Sequence, residues 1–196
     1  AMNNVNTAIL DLTQNRNAYY IYTKNEESLR VKANECIRRL KDGTADGIEV
    51  HKNLTVYTSA FDVGEIENVE PIIQTLLKKH SIILLDCDFN TPYMYFKYSQ
   101  EIYLVQSMDI LTIQPLTLFL NKLNDKGAFD ERKVRVILNK FVKTKELNQE
   151  ILVGGISRYN DAGMTISKEL FNRRTVKTIT IPLEIETYLR YLDGLV

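Results

Sequence analysis

The sequence predicts an α/β fold: three layers, with a mostly parallel sheet and helices on both faces. Two observations predict it. Short apolar runs alternate with amphipathic stretches from one end of the chain to the other, the pattern of strands joined by crossover helices. The run Ser81–Leu85 is followed by Asp86, Cys87 and Asp88. Its unbroken apolar stretch reads as a strand covered on both faces, the usual condition of a parallel sheet.

In order along the chain, Thr7–Leu12 is a short apolar strand carrying Asp11 near its end, and Thr13–Asn17 is a polar loop. Tyr19, Tyr20 and Tyr22 are expected to pack beneath that loop. Glu26–Leu40 places Leu29, Val31, Ala33, Ile37 and Leu40 among charges, an amphipathic helix stopped by Asp42-Gly43. Asn53–Thr58 alternates like a strand, and Phe61–Asn68 is a loop. Val69–Lys79 is a helix with Pro71 in its first turn and Ile72, Ile73, Leu76 and Leu77 as its buried stripe.

After Ser81–Leu85, the aromatic stretch Pro92–Tyr98 is expected to be irregular. Glu101–Gln106 is a strand, Leu116–Asn124 a leucine-rich helix ended by Gly127, and Lys133–Leu138 another strand. Thr144 is expected to cap a helix running to Val153, terminated by Gly154-Gly155. Met164–Asn172 reads as a short helix, Val176–Ile181 as a last strand stopped by Pro182, and Glu184–Leu192 as a closing helix. No linker or repeat divides the chain, so residues 1–196 are expected to form one domain.

Composition narrows the function classes. Lys+Arg and Asp+Glu are both 25, giving a formal net charge of zero. A generally basic nucleic-acid surface is therefore not indicated. Arg38-Arg39, Lys78-Lys79 and Arg173-Arg174 leave DNA as a lesser candidate partner, against the plainer reading of solvated helix ends. Cys36 and Cys87 lack metal or redox spacing and suggest a reducing, cytoplasmic setting. Neither His51 nor His80 has a second ligand at metal spacing. No apolar run approaches a membrane span, and no signal peptide opens the chain. Ala1 ahead of Met2 reads as an expression remnant.

Four strands deliver polar residues at their carboxyl ends: Asp11 with Thr13, Asp86 with Asp88, Gln106 through Asp109, and Asn139-Lys140. On a single parallel sheet they would line one edge, where ligands bind in open α/β sheets. The set suits a phosphate ligand with a divalent cation, carboxylates and hydroxyls holding the ion and an amide reading a base.

In that order the motifs resemble the ParA/MinD family of deviant-Walker ATPases, which includes the TadZ/CpaE-type proteins of pilus assembly. Ile9–Asn15 resembles the family strand ending in Asp-x-Asp-x-x, and Ile82–Asp86 the Walker B strand. Glu101–Leu123 is similar to the strand and helix that follow, and Val134–Lys140 to the strand ending in Asn-Lys. Thr180-Ile181-Pro182 looks like the family's late Ile-Pro. The likeness runs over nearly the whole chain. It implies a P-loop NTPase-like fold with ATP and Mg2+ as cofactors. It further implies Asp86 and Asp11 near the magnesium shell, and Asn139, Lys140 and Pro182 at the nucleotide, with Asn139 against adenine and Pro182 bordering it. Protein partners of a positioning or assembly machine are implied too, with a homodimer as the switching form.

The departures are equally specific. No Gly-x-x-x-x-Gly-Lys-[Ser/Thr] occurs among the 196 residues, so the phosphate cradle, its lysine and the magnesium hydroxyl are missing. Thr13 stands where the family has its second aspartate and cannot serve as an anionic base. No catalytic residue is therefore assigned, and hydrolysis is expected to be poor or absent. Two accounts fit: a chain expressed without its first strand, P-loop and first helix, or a natural degenerate relative beginning at Met2. The expected role is spatial positioning or assembly, in a pilus or secretion system or in plasmid or conjugative-element maintenance. Two other classes stay open: a ligand-free α/β interaction scaffold, and a receiver-like signalling domain using Asp11, Asp86 and Lys140.

Overall fold

A computed structural model describes residues 4–60, 66, 68–159 and 168–192, the side chains of 110, 187, 188, 191 and 192 excepted. The chain divides into two compact units, Ala1–Tyr95 and Phe96–Val196.

In the first unit, β1 (Thr7–Asp11) lies between β3 (Leu54–Tyr57) and β4 (Ile82–Asp86), parallel to both. Register sets Asp11 opposite Asp86. A strand absent from the sequence reading, β2 (Ile48–His51), pairs antiparallel with β3 and completes the order β2-β3-β1-β4. Only Ile48 of β2 is buried, so no apolar alternation announced it.

The helices follow their periodicity. α2 (Glu27–Lys41) buries Ala33, Cys36, Ile37 and Leu40, one stripe at three- and four-residue spacing. It ends as Asp42-Gly43 predicts. Gly43 takes φ 84°, its N–H donates to the Leu40 carbonyl at 3.1 Å, and the Thr44 N–H donates to Arg39 at 2.8 Å. These are the paired bonds of a Schellman stop, and only glycine adopts that φ without strain. α3 (Val69–Lys79) has the predicted bounds and buries Val69, Ile72 and Leu76, but of the predicted stripe Ile73 is half-buried and Leu77 is exposed. The three buried residues join Ala8, Leu10, Tyr57 and Tyr95 in one core. The tyrosine cluster falls on a helix, α1 (Asn17–Thr23), with Tyr19 buried and Tyr20 exposed. Most of the predicted loop Phe61–Asn68 lies outside the described residues.

At the amino end of the sheet sits a polar chain that is buried at Tyr57 and His80. Asn6 Nδ2 donates to the Lys79 carbonyl at 2.8 Å, which turns Asn6 Oδ1 toward His80 Nδ1 at 3.0 Å. Nδ1 is then the donor, and Nε2 accepts from the Tyr57 hydroxyl at 2.8 Å. His80 is thus held neutral, and burial, with the nearby Lys79 charge, lowers its pKa.

The second unit carries the parallel sheet β5-β6-β9, formed by β5 (Ile102–Gln106), β6 (Val134–Phe141) and β9 (Lys177–Pro182). Two helices, α5 (Ile113–Asp125) and α6 (Gln149–Ser157), pack on one another and bury Leu116, Leu120, Leu123, Leu152, Val153 and Ile156. The closing helix is α7 (Ile185–Leu192).

Several expectations are corrected. Pro92–Tyr98 is not irregular, because Tyr93–Tyr98 forms the short helix α4, with Tyr95 and Phe96 buried. Thr144 does not cap α6. Its hydroxyl is spent on Leu147, accepting from that N–H at 2.9 Å, and Asn148 caps instead, its Oδ1 accepting from the Ile151 N–H at 3.1 Å. Gly154-Gly155 does not end α6 but lies inside it. A Cβ on Gly155 would stand 3.2 Å from Ile113, so close approach of α5 accounts for that glycine. Of the predicted helix Met164–Asn172, residues 164–167 lie outside the described residues. Lys168–Glu169 form β8, antiparallel to β7 (Arg158–Tyr159).

The reading of Ser81–Leu85 as covered on both faces is also overturned. Among the described residues β4 pairs with β1 alone, and Ile82 and Leu84 are 45% and 52% exposed. Ile83 and Leu85 on the opposite side pack against the core. Tyr103, Val105, Ile179 and Ile181 of the second unit are likewise exposed. An apolar run records what could be buried; here the face of β4 that carries Ile82 and Leu84 is left open, as the alternating exposure along the strand shows.

Candidate functional site at the strand ends

The end of β1 is built on one carboxylate. Asp11 is completely buried. Its Oδ1 accepts from the Thr13 N–H at 3.1 Å and the Thr13 hydroxyl at 2.7 Å, and its Oδ2 accepts from the Thr58 hydroxyl at 2.9 Å. Arg16, in the left-handed region at φ 50°, donates to the Asp11 carbonyl at 2.5 Å. Burying a charged group demands this saturation. Both oxygens of Asp11 are thereby engaged, and Thr13 has committed its hydroxyl proton.

The loop after β4 is tied to the loop after β1. Asp88 Oδ2 accepts from the Gln14 N–H at 2.5 Å, and Asn90 Nδ2 donates to Gln14 Oε1 at 2.8 Å. Asp88 Oδ1 accepts from its own loop at the Asn90 N–H, 2.8 Å, and the Thr91 hydroxyl accepts from the Asp88 N–H at 3.0 Å.

Asp86 differs from both. It sits opposite Asp11, with the Leu12 N–H donating to its backbone carbonyl at 2.8 Å. Among the described residues nothing hydrogen-bonds or ion-pairs with its carboxylate. Its pKa is raised, first by desolvation against the sheet end, although its surface remains largely open, then by the charges of Asp11 and Asp88. Such a corner favours a cation over a second anion. Burial also pushes the Cys87 thiol beside it up to about 12, which leaves it without thiolate chemistry at neutral pH.

The remaining predicted residues lie in the second unit. Gln106 is buried and donates through Nε2 to the Ser107 and Asp109 carbonyls at 2.8 and 3.1 Å, and to the Thr112 hydroxyl. Asp109 Oδ1 accepts from the Leu111 N–H at 2.9 Å. This segment is a self-satisfied turn. Asn139 and Lys140 occupy an irregularity where the pairing of β6 with β9 shifts between Leu138 and Phe141. Lys140 takes φ 54°, and its N–H donates to Asn139 Oδ1 at 3.0 Å. A bulge of this kind re-aims side chains at a strand end. Pro182 pairs with Phe141 as the last residue of β9.

Sequence reasoning missed Thr58, Gln14, Asn90 and Thr91. Thr58 was findable, because it closes a predicted strand. Ser59, next to it, is buried with its hydroxyl unpartnered among the described residues. The implied cofactors fit these strand ends unequally. Asp86 offers one free carboxylate to a hydrated divalent cation. No group of three or more His, Cys, Asp or Glu side chains suited to a metal occurs among the described residues. A triphosphate fits poorly: no glycine lies within 11–17, 86–92, 106–112 or 139–144, and the nearby Arg16 is turned to the Asp11 carbonyl.

No family model and no curated protein matches the chain in sequence. Solved structures match it in fold. A ParA family ATPase from Chlorobium tepidum aligns with TM-score 0.62 and 13% identity, over 96% of this chain and 75% of its own. MinD in the MinC:MinD cell division complex of Aquifex aeolicus gives 0.64 and 14%, over 99% and 76%. A protein assigned to plasmid partition in Borrelia burgdorferi B31, bound to AMPPNP, gives 0.60 and 16%, over 98% and 78%. The fold is therefore ParA/MinD-like: α/β, with mostly parallel sheets and helices on both faces. No helix described is long and apolar enough to cross a membrane.

Proposed function

We propose that the chain is a ParA/MinD-like positioning or assembly factor that works through protein partners, with nucleotide turnover weak or absent. A pilus or secretion system of the TadZ/CpaE kind is one setting, and partitioning of a plasmid or conjugative element the other. In this reading residues 1–196 are one cytoplasmic domain that pairs as a homodimer. Asp86 stands in the shell of a magnesium ion, Asn139 and Pro182 border the adenine, Lys140 lies beside them, and DNA is a lesser partner. Asp11 organises the loop that presents the site.

The observation that carries the proposal is a ParA/MinD-like fold over nearly the whole chain, combined with strand ends that offer one unengaged carboxylate and no phosphate cradle. Positioning and electrostatic stabilisation supply most of phosphoryl-transfer catalysis, so strand ends that hold no cradle support binding more than turnover. Calorimetric titration with Mg-ATP, alongside a phosphate-release assay, tests this. The expectation is weak binding that Asp86→Ala and Asn139→Ala each reduce, without appreciable hydrolysis. Micromolar binding unchanged in Asp86→Ala removes Asp86 from the site, and turnover typical of an ATPase refutes the non-hydrolysing role.

A second reading, a scaffold without ligand, draws on the open apolar side chains Ile82, Leu84, Tyr103 and Val105, since exposed apolar patches mark interaction surfaces. A melting temperature indifferent to nucleotide at millimolar concentration favours it, because a ligand bound only by the native state must stabilise that state.

A further inference from the structure

The second unit holds a cavity of about 630 Å³, lined by Gln149, Glu150 and Val153 of α6 and by Arg173, Arg174, Val176 and Thr178, none of them a residue assigned to the nucleotide. We propose that this cavity is a binding site for a phosphorylated small molecule, with the phosphoryl group held by Arg173 and Arg174. Neither guanidinium has a carboxylate within ion-pair distance among the described residues, whereas Arg39, Arg132 and Arg135 each do. Two arginines without ion-pair partners in one concave site repel each other, and a dianion relieves that repulsion while matching their fork geometry.

Both arginines are exposed, and the turn that carries them is fixed by buried neighbours and backbone hydrogen bonds. Phe171, just before them, is 2% exposed, and the Leu170 N–H donates to the Ser157 carbonyl at 2.8 Å. Asn172 then closes a tight turn: its Oδ1 accepts from the Arg174 N–H at 2.9 Å, and its carbonyl accepts from the Thr175 and Val176 N–H groups at 3.2 and 3.0 Å. Arg173 lies directly on the α6 backbone at Gly154, where an added Cβ would stand 2.9 Å from Nη1. That glycine, which the sequence alone suggested as a helix stop, is the space into which the guanidinium fits.

The cavity also limits what it accepts. The volume is that of a small-molecule site. The Gln149 amide and Thr178 hydroxyl add polar partners, and Glu150 asks for a hydroxyl or amino group elsewhere on the ligand. Glu150 in the same lining and zero net charge disfavour a nucleic-acid backbone, which is met by extended basic surface.

The experiment titrates the intact chain with inorganic pyrophosphate at about 0.1 M salt, followed by calorimetry and amide NMR. Saturable binding is expected, with shifts at Gln149–Val153 and Arg173–Thr178. Arg173→Ala and Arg174→Ala should each weaken it roughly tenfold, in line with a charge-assisted bond per guanidinium. Gly154→Ala should weaken it several-fold by displacing Arg173, whose flexible end can move without unfolding the helix. Glu150→Gln should tighten it, and Asp86→Ala should leave it unchanged. Retention of affinity in the double arginine variant with an unchanged melting temperature overturns the proposal, as does loss of affinity in Asp86→Ala alone. Failure to saturate also overturns it. So does tighter binding of a duplex DNA whose affinity falls steeply with salt and depends on the same arginines.

Discussion

Asp11 and Asp86 face each other across two paired strands, yet they should respond oppositely to mutation. In Asp11→Ala the Thr58 hydroxyl, completely buried, loses the carboxylate it reaches at 2.9 Å. An orphaned buried donor of a charge-assisted bond costs about 1.5–3 kcal/mol. The two bonds from Thr13 at 3.1 and 2.7 Å are only partly buried, so water replaces them at about 0.5–1 kcal/mol together. Relief of the desolvated charge offsets part of the loss, leaving a destabilisation of about 2–3 kcal/mol. For a chain of this size each kcal/mol moves the melting temperature by about 2–4 °C, so a drop on the order of 4–12 °C is expected. Circular-dichroism melts at pH 7 of the parent, Asp11→Ala and Asp11→Asn measure it. Asn retains one acceptor and should fall between. A melting temperature within about 1 °C of the parent for Asp11→Ala would refute the assignment of Asp11 as the anchor of this loop.

Asp86→Asn should instead raise stability at neutral pH. Its folded-state pKa lies above the unfolded value, so its favourable contribution is complete below the ordinary carboxylate range and is lost as pH rises through the folded value. The gain from Asn should vanish in acid melts. For His80 the shift is downward. Stability is therefore complete above the unfolded value of about 6.5 and declines as pH falls through the folded value. Tyr57→Phe, which removes the donor to His80 Nε2, should cost about 1–2 kcal/mol at pH 7 in denaturant melts. Gly47→Ala should destabilise by at least about 1 kcal/mol, because its Cβ would stand 2.7 Å from the Val56 carbonyl oxygen and 2.8 Å from the Thr55 side chain. Parent-like stability there would mean the β2-β3 hairpin sits farther from Gly47.

Much of the fold was legible because helix and strand periodicities are local. The stripe Ala33, Cys36, Ile37 and Leu40 lies within eight residues, and the Asp42-Gly43 stop within three more. The errors are equally informative. β2 carries one buried residue, too few to register as alternation. Gly154-Gly155 obeyed the usual rule for a helix end, yet Ile113 and Arg173, which occupy the space above them, are distant in sequence. The strand-end rule set Asp11 and Asp86 at the ends of β1 and β4 and Asn139 near the end of β6, as the structure does. It did not reveal that Asp11 would be spent on Thr13 and Thr58.

The amino-acid sequence by itself determined the α/β class, the order of the main elements and the polar residues that close each strand, because these depend on patterns within one turn or one strand. Only the tertiary structure decided which carboxylate is free and which is spent, since Asp11 meets Thr58 and Gln14 meets Asp88 across 47 and 74 residues. It also decided that β4 is an edge. A strand's apolar run is a property of its own residues, whereas the number of neighbours it finds depends on the rest of the sheet.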